Sequence, residues 1–434
     1  MFASGRRNLT SNRNRMSSYF NTALLTLAAA GFIAAPGMAG TTPDLSAAGT
    51  PAPDETGHLS AYDRLWSHLT LVKDENASVL QEFSFQGRLQ LQGAWGDSDR
   101  GSYGSNDRPA INRWGDDVEV RRWRLGFKSK WYRVWKLEGQ IDVNPDWDPF
   151  YKNIYDLALT YAPSDQGNVT VGKFKTNNFG VEQFISSKDI LTMERGLLSN
   201  ALFAGELTGV RFSGKKNNWI YAASYTSGAL DQEFDGFSGG TYIQASLGYD
   251  FHEKLGLEKA LVKFDWQHSS RATNSQVADD RFGTYSGGLY EDAFSLNGHF
   301  EQGRWNLYTD LLAAQGHGTT GDVWGVILTP SYYITTGLQA VMRYQYANGD
   351  NDGLRLQSRY ERLAPAYKPG TPDGLRDGGR GENYHALYLG LNYYLYGHKL
   401  KLMGGIEYHD MDNGNDTGGA FEGWTASAGM RVFF

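Results

Sequence analysis

The chain has 434 residues, no cysteine, and 48 Asp and Glu against 41 Lys and Arg, a formal net charge of -7. The lack of cysteine excludes a disulfide framework, a thiolate metal site and thiol catalysis. With 53 Gly, 26 Tyr and 12 Trp beside only 12 Pro, the composition favours strands and turns over a helical enzyme.

Residues 1–39 read as a secretory signal peptide, with Arg6, Arg7, Arg13 and Arg15 ahead of the apolar run "ALLTLAAAGFIAA" and a cut expected after Ala39. That run, about thirteen residues, is short of the roughly 20 a spanning helix needs. Met16 is an alternative start. Removal of the peptide takes away four Arg and no acid, leaving a formal charge of -11. Residues 40–80 are expected to be a periplasmic linker, polar and flexible over 40–58, and 81–434 to form the folded domain.

From there the side chains alternate with period two, as in a strand with unlike faces. In "QEFSFQGRLQLQGAW", Phe83, Phe85, Leu89, Leu91 and Trp95 alternate with Ser84, Gln86, Arg88, Gln90 and Gln92. The pattern predicts strands at 82–95, 118–131, 133–144, 153–162, 168–174, 205–214, 218–226 and 241–251. It continues at 259–268, 289–300, 303–314, 323–334, 337–347, 384–396, 399–410 and 422–434, an even total of about 16. Short links follow the even-numbered strands, with one longer case at 252–258. Long links follow odd ones, near 96–117, 175–204, 269–288 and 348–383. This is the rhythm of a closed antiparallel barrel in an outer membrane, where an open edge would leave unpaired backbone groups in hydrocarbon. Aromatic residues near strand ends (Trp131, Trp135, Tyr155, Tyr161, Trp219, Tyr225, Trp305, Tyr344, Tyr346, Trp424) are expected to form interface girdles. The last strand, "GWTASAGMRVFF", ends in Phe434.

The stretch "VEVRRWRLGFKSKW" over 118–131 concentrates charge: Arg122, Arg124, Lys128 and Lys130 share one parity, and Trp123, Leu125, Phe127 and Trp131 the other. If the apolar parity meets lipid, the cations face the lumen over roughly 26 Å of strand. Arg88, Lys136, Arg211, Lys263, Arg343 and Arg431 are expected to join them. The acids Glu138, Asp142, Asp156, Asp265 and Asp310 make the wall mixed. Unpaired cations in such a channel would attract anions; the alternative is that they pair with acids on neighbouring strands and hold the wall together.

Residues 171–203, "VGKFKTNNFGVEQFISSKDILTMERGLLSNALF", resemble the signature of the phosphate-selective porin O and P family, and the paired-Arg block at 121–143 is similar to the family's preceding segment. The resemblance implies a sixteen-stranded barrel, a homotrimer, and a third loop folded into the lumen as a constriction. Ser186, Ser187, Lys188, Asp189, Glu194 and Arg195 match the motif and would line that constriction or pin the loop to the wall.

Weaker motifs add little. Ser238 in "GFSGG" lies in a Gly-rich loop between strands rather than on the strand-to-helix turn of a hydrolase. "DMDNGND" at 410–416 has calcium-loop spacing, but Phe421 stands where an EF-hand needs its Glu. The nine His show no zinc spacing. Arg355, Arg359, Arg362, Lys368, Arg376 and Arg380 would gather anions at the mouth or pair with lipopolysaccharide phosphates. The reading is therefore an outer-membrane porin with no catalytic residues, no metal and no cofactor. It would pass small hydrophilic solutes by diffusion, with a preference for anions such as phosphate. Its partners would be outer-membrane lipid and lipopolysaccharide, small solutes and its own copies, with no nucleic acid. A carbohydrate or neutral-solute porin, or a barrel adhesin or enzyme, are the alternatives.

Overall fold

The computed structural model describes residues 61–98, 115–145, 147–176, 179–228, 233–237, 240–270, 290–316, 321–351, 353–355, 380–412 and 421–434. Residues 1–39, expected above to be a signal peptide, Ser238, most of "DMDNGND" and most of the arginines of the 348–383 connection lie outside them.

A short helix, α1 (Ala61–Ser67), and a short strand, β1 (Thr70–Lys73), come first. Then follow β2 (Leu80–Ser98), β3 (Gly115–Trp131), β4 (Trp135–Val143), β5 (Tyr151–Ser164) and β6 (Gly167–Lys175). The next connection carries α2 (Val181–Phe184) and α3 (Leu197–Ala201). Beyond it run β7 (Glu206–Lys216), β8 (Trp219–Ser227), β9 (Thr241–Asp250), α4 (His252–Leu255), β10 (Lys259–Ser269), β11 (Tyr290–Gln302) and β12 (Trp305–Gly316). The chain ends with β13 (Val323–Thr335), β14 (Leu338–Gly349), a small ladder of β15 (Leu354–Arg355) with β16 (Arg380–Gly381), then β17 (Asn383–Tyr396), β18 (Leu400–Asp412) and β19 (Phe421–Phe433).

Leaving aside β1 and the small ladder, sixteen strands among the described residues pair antiparallel with their sequence neighbours, and β19 pairs with β2 to close the barrel. The tightest turns carry the left-handed backbone that a two-residue hairpin demands: φ is 46° and 67° at Tyr132 and Arg133, and 48° and 66° at Asn217 and Asn218. The longer link at 252–258 contains α4.

The barrel is apolar outside and polar inside. Phe85, Trp95, Leu125, Leu159, Leu389, Leu391 and Ile406 are exposed on one parity, while Arg88, Gln90, Gln92, Lys263, Asp265, Asp310, Arg343 and Arg431 are buried on the other. Such a wall would aggregate in water and fits hydrocarbon. Aromatic pairs mark both ends of the outer face: Trp135 with Tyr161, Trp219 with Tyr249 and Trp305 with Tyr332 by the short turns, and Trp324 with Tyr346 at the other end.

Two expectations are corrected. Tyr155 is buried inside the barrel, not part of a girdle. Ile154 pairs with Ile141 and Asp156 with Gln140, so Tyr155 is the extra residue of a bulge that turns it inward. Residues 61–73, assigned above to the linker, form α1 and β1.

Candidate functional site

The connection from β6 to β7 touches inward-facing side chains on β10, β12, β14, β17, β18, β19, β2 and β3. Near its start, the Gly180 N–H donates to Asp265 Oδ2 on β10 at 2.9 Å, and the Val181 N–H to Asp310 Oδ2 on β12 at 2.8 Å. Farther along, Gln90 on β2 donates to the Ser187 carbonyl at 3.1 Å, Lys401 on β18 to that of Ile190 at 2.8 Å, and Asn392 on β17 to that of Leu191 at 2.9 Å. Arg431 on β19 reaches the Met193 carbonyl at 2.8 Å, and Gln267 on β10 that of Leu202 at 3.2 Å. Buried backbone polar groups need partners, and here the strand side chains supply them. Apolar packing reinforces the docking: Phe179, Leu197, Leu198 and Leu202 are buried with Leu312, Val323, Ile327 and Tyr384.

Arg343 joins this interface at four points. Its guanidinium lies 3.1 Å from Glu182 of α2 and 2.9 Å from Glu407 of β18, and it also donates to Thr192 Oγ1 at 3.0 Å and the Glu194 carbonyl at 2.6 Å. Glu182 in turn accepts from the Gly196 N–H at 2.6 Å. One arginine thus ties the start of the connection to its later part and both to the wall.

The motif residues divide by partner. Ser187 is buried and accepts a hydrogen bond from Arg88. Ser186 accepts from the Asp189 N–H at 2.8 Å through its carbonyl, closing a local turn. Lys188 lies 4.5 Å over the Phe433 ring. The partly exposed Asp189 is 3.7 Å from His398. Arg195 is buried and donates to the carbonyls of Glu182 at 2.7 Å and Ile185 at 3.0 Å. Glu194 forms a two-pronged pair with Arg121, at 2.7 and 3.2 Å, and accepts from Gln92 at 2.9 Å.

The expected wall cations do not form one free row. Arg124 is 2.6 Å from Asp142 and stacks 3.2 Å over the Tyr155 ring. Lys128 pairs with Glu82 at 3.0 Å, Lys263 with Asp265 at 2.5 Å. Arg122 donates to Gln90 Oε1 at 2.8 Å. Lys130 and Lys136 face each other across β3 and β4. Arg211 lies 4.7 Å over the Phe174 ring. Arg88 of β2 stands directly opposite Arg124 of β3.

Arg121 was not among the expected residues. In a regular strand it would point opposite to Arg122, but Val120 pairs with Leu91 and Arg122 with Gln90, so Arg121 is an inserted bulge residue that reaches Glu194. The adjacent arginines were the only sequence sign. Spacing also concealed that His268, Glu291 and Asp292 bring ligand atoms within 4.8 Å of one another on β10 and β11. There the Asp292 carboxylate already holds Trp266 at 2.9 Å and His268 at 3.1 Å.

A closed barrel with a lipid-compatible outside, a charged inside and a long connection docked to inward-facing side chains is the architecture of an outer-membrane porin. The family model for "Phosphate-selective porin O and P" matches residues 93–432, and the chain belongs to that family. No curated protein matched the sequence. Among solved structures, the outer-membrane expressed OmpT of Vibrio cholerae is similar at TM-score 0.50 and 10% identity, covering 81% of this chain and 98% of that one. OprB of Pseudomonas putida at high pH gives 0.50 and 8%, covering 81% and 94%. Salmonella typhi OmpF in complex with daunomycin gives 0.50 and 12%, covering 81% and 98%. At these identities the likeness is one of fold.

Proposed function

We propose that this porin prefers anions, that the β6–β7 connection crosses the lumen as its constriction, and that inorganic phosphate is among its solutes. One observation carries the reading. Arg88 and Arg124 oppose each other on adjacent strands, and Arg88 Nε and Arg124 Nη1 are buried donors without a hydrogen-bond partner among the described residues. Like charges set opposite each other are unfavourable, and so are unsatisfied buried donors; an anion's oxygens answer both. Arg122, one inward position further along β3, hydrogen-bonds only the amide oxygen of Gln90 among the described residues. The contacts of the connection with inward-facing residues of β2, β10, β14 and β19 support its place in the lumen. Family membership supports both the phosphate reading and a trimer.

The test is the reversal potential of the purified protein in a planar bilayer under a KCl gradient, with inorganic phosphate as blocker. The wild type should give the sign of an anion channel, and phosphate should reduce the chloride current. Arg88→Gln with Arg122→Gln should move the reversal potential toward cations and weaken the block. A wild-type value at zero, unmoved by the double change, would replace this reading with a neutral-solute porin.

A further inference from the structure

The segment before the barrel is built into the channel. Tyr62 of α1 stacks on Tyr396 at the end of β17, with ring centroids 5.2 Å apart and 18° between planes, and Asp63 accepts a hydrogen bond from the Tyr396 hydroxyl. The Trp66 indole N–H donates to the Phe433 carbonyl at 2.8 Å. β1 then runs beside the part of β2 that extends past the end of β19: Thr70 pairs with Ser84 and Lys73 with Glu82, while the Phe85 N–H donates to the Leu69 carbonyl at 2.8 Å. Without β1 that stretch of β2 would be an open edge.

Two of these anchors, Ser84 and Tyr396, are buried members of the inward-facing parity. The strap formed by 61–73 is therefore fastened to the inner side of the mouth, at the end with the short turns. A cavity of about 930 Å³ is lined by both elements, by Asp63, Trp66 and Lys73 of the strap and by Phe184, Ser186 and Lys188 of the β6–β7 connection. The strap is held by aromatic contacts and a few hydrogen bonds, and the sixteen barrel strands close through β19 and β2 without it.

From this placement we infer that residues 61–73 form a second constriction, in series with the β6–β7 connection, and that Trp66 and Asp63 determine which solutes leave the chamber between the two. The inference rests on the channel reading above. Its physical content is cross-section: a rigid indole and a carboxylate occupy part of the exit, so solutes must clear two narrow points separated by one chamber.

Deleting residues 61–73 from the otherwise complete chain, with the signal peptide and residues 40–60 kept, tests it. Single-channel conductance in KCl should rise, since one of two narrow points in series is removed, and liposomes carrying the variant should admit larger uncharged sugars than the wild type does. Should the deletion fail to assemble, Tyr62→Ala with Trp66→Ala removes the rings and leaves β1 in place; its conductance should also rise. Wild-type conductance and wild-type sugar cutoff in an assembled deletion variant, or in the double variant where the deletion does not assemble, would overturn the inference. A wild type that conducts without anion selectivity defeats the anion reading instead and leaves this one standing.

Discussion

Replacing Arg343 by Met keeps most of the volume and removes the charge. The structure then holds Glu182 and Glu407 without their common partner, and Thr192 Oγ1 and the Glu194 carbonyl each lose a donor. Breaking a buried ion pair from one side costs about 3–5 kcal/mol, chiefly because the other charge is stranded. Glu407 keeps a hydrogen bond from Gln345 at 2.9 Å and Glu182 one from Gly196 at 2.6 Å, which places the cost near the lower end. The main-chain ladder of β14 with β13 and β17 does not depend on this side chain. The loss should therefore fall on the docking of the β6–β7 connection rather than on barrel closure. The assay is single-channel recording alongside urea unfolding of the detergent-solubilised protein. Arg343→Met should give a noisy current with frequent transitions and proteolytic cleavage within 179–205, while the barrel's unfolding midpoint changes little. Adding Glu182→Gln and Glu407→Gln, which removes the stranded charges, should restore much of the quiet current. A quiet, protease-resistant Arg343→Met channel at wild-type conductance would refute the argument.

The remaining expectations are shorter. Arg124→Gln strands Asp142 inside the wall and should cost about 3–5 kcal/mol, whereas Lys128→Gln breaks a pair whose lysine side chain is 48% exposed and should cost no more than about 1 kcal/mol; equal losses in denaturant would sink the distinction. Leu125→Arg with Phe127→Arg puts two charges on the lipid side of β3, at about 2–4 kcal/mol per midplane site, and should block assembly in membranes; normal insertion would mean the strand is inside out. At the turn after β17, burial and the neighbouring Lys401 hold the His398 pKa down to about 3, and His398 Nδ1 lies 3.2 Å from the Lys401 ammonium. As pH falls below the ordinary histidine value of about 6.5, the unfolded chain takes up a proton that the folded one refuses, so stability should decline between there and about pH 3. His398→Gln should flatten that decline in melts measured across the range.

The strands were legible because lipid on one side and polar groups on the other impose a two-residue period that sequence displays directly. Bulges defeated the same reading locally. One inserted residue at Arg121 and one at Tyr155 reversed the parity that alternation assumes, and apart from the adjacent arginines at 121 and 122 nothing in the local pattern marks an insertion. The docking of the β6–β7 connection was visible only as a family motif, since its partners lie far off in sequence: Arg343 and Glu182 are 161 positions apart, Lys401 and Ile190 are 211. Residues 61–73 escaped notice because seven helical residues and four strand residues are too few to show a period.

The seam between β2 and β19 joins the two ends of the barrel domain. Phe434, the final residue, exchanges backbone hydrogen bonds with Gly87 at 2.9 and 3.1 Å, and its ring covers that glycine so closely that a Cβ there would collide with it. The barrel's closing seam thus joins positions that lie almost 350 residues apart: Gly87 and Phe434. No portion of the chain that lacks β2 or β19 can seal the cylinder, and bringing strands so distant in sequence together carries a large loop-closure entropy cost. Until that seam closes, both edges stay open and the lipid-facing surface lies unsheltered, so escort rather than speed of folding is the demand this architecture places on the cell.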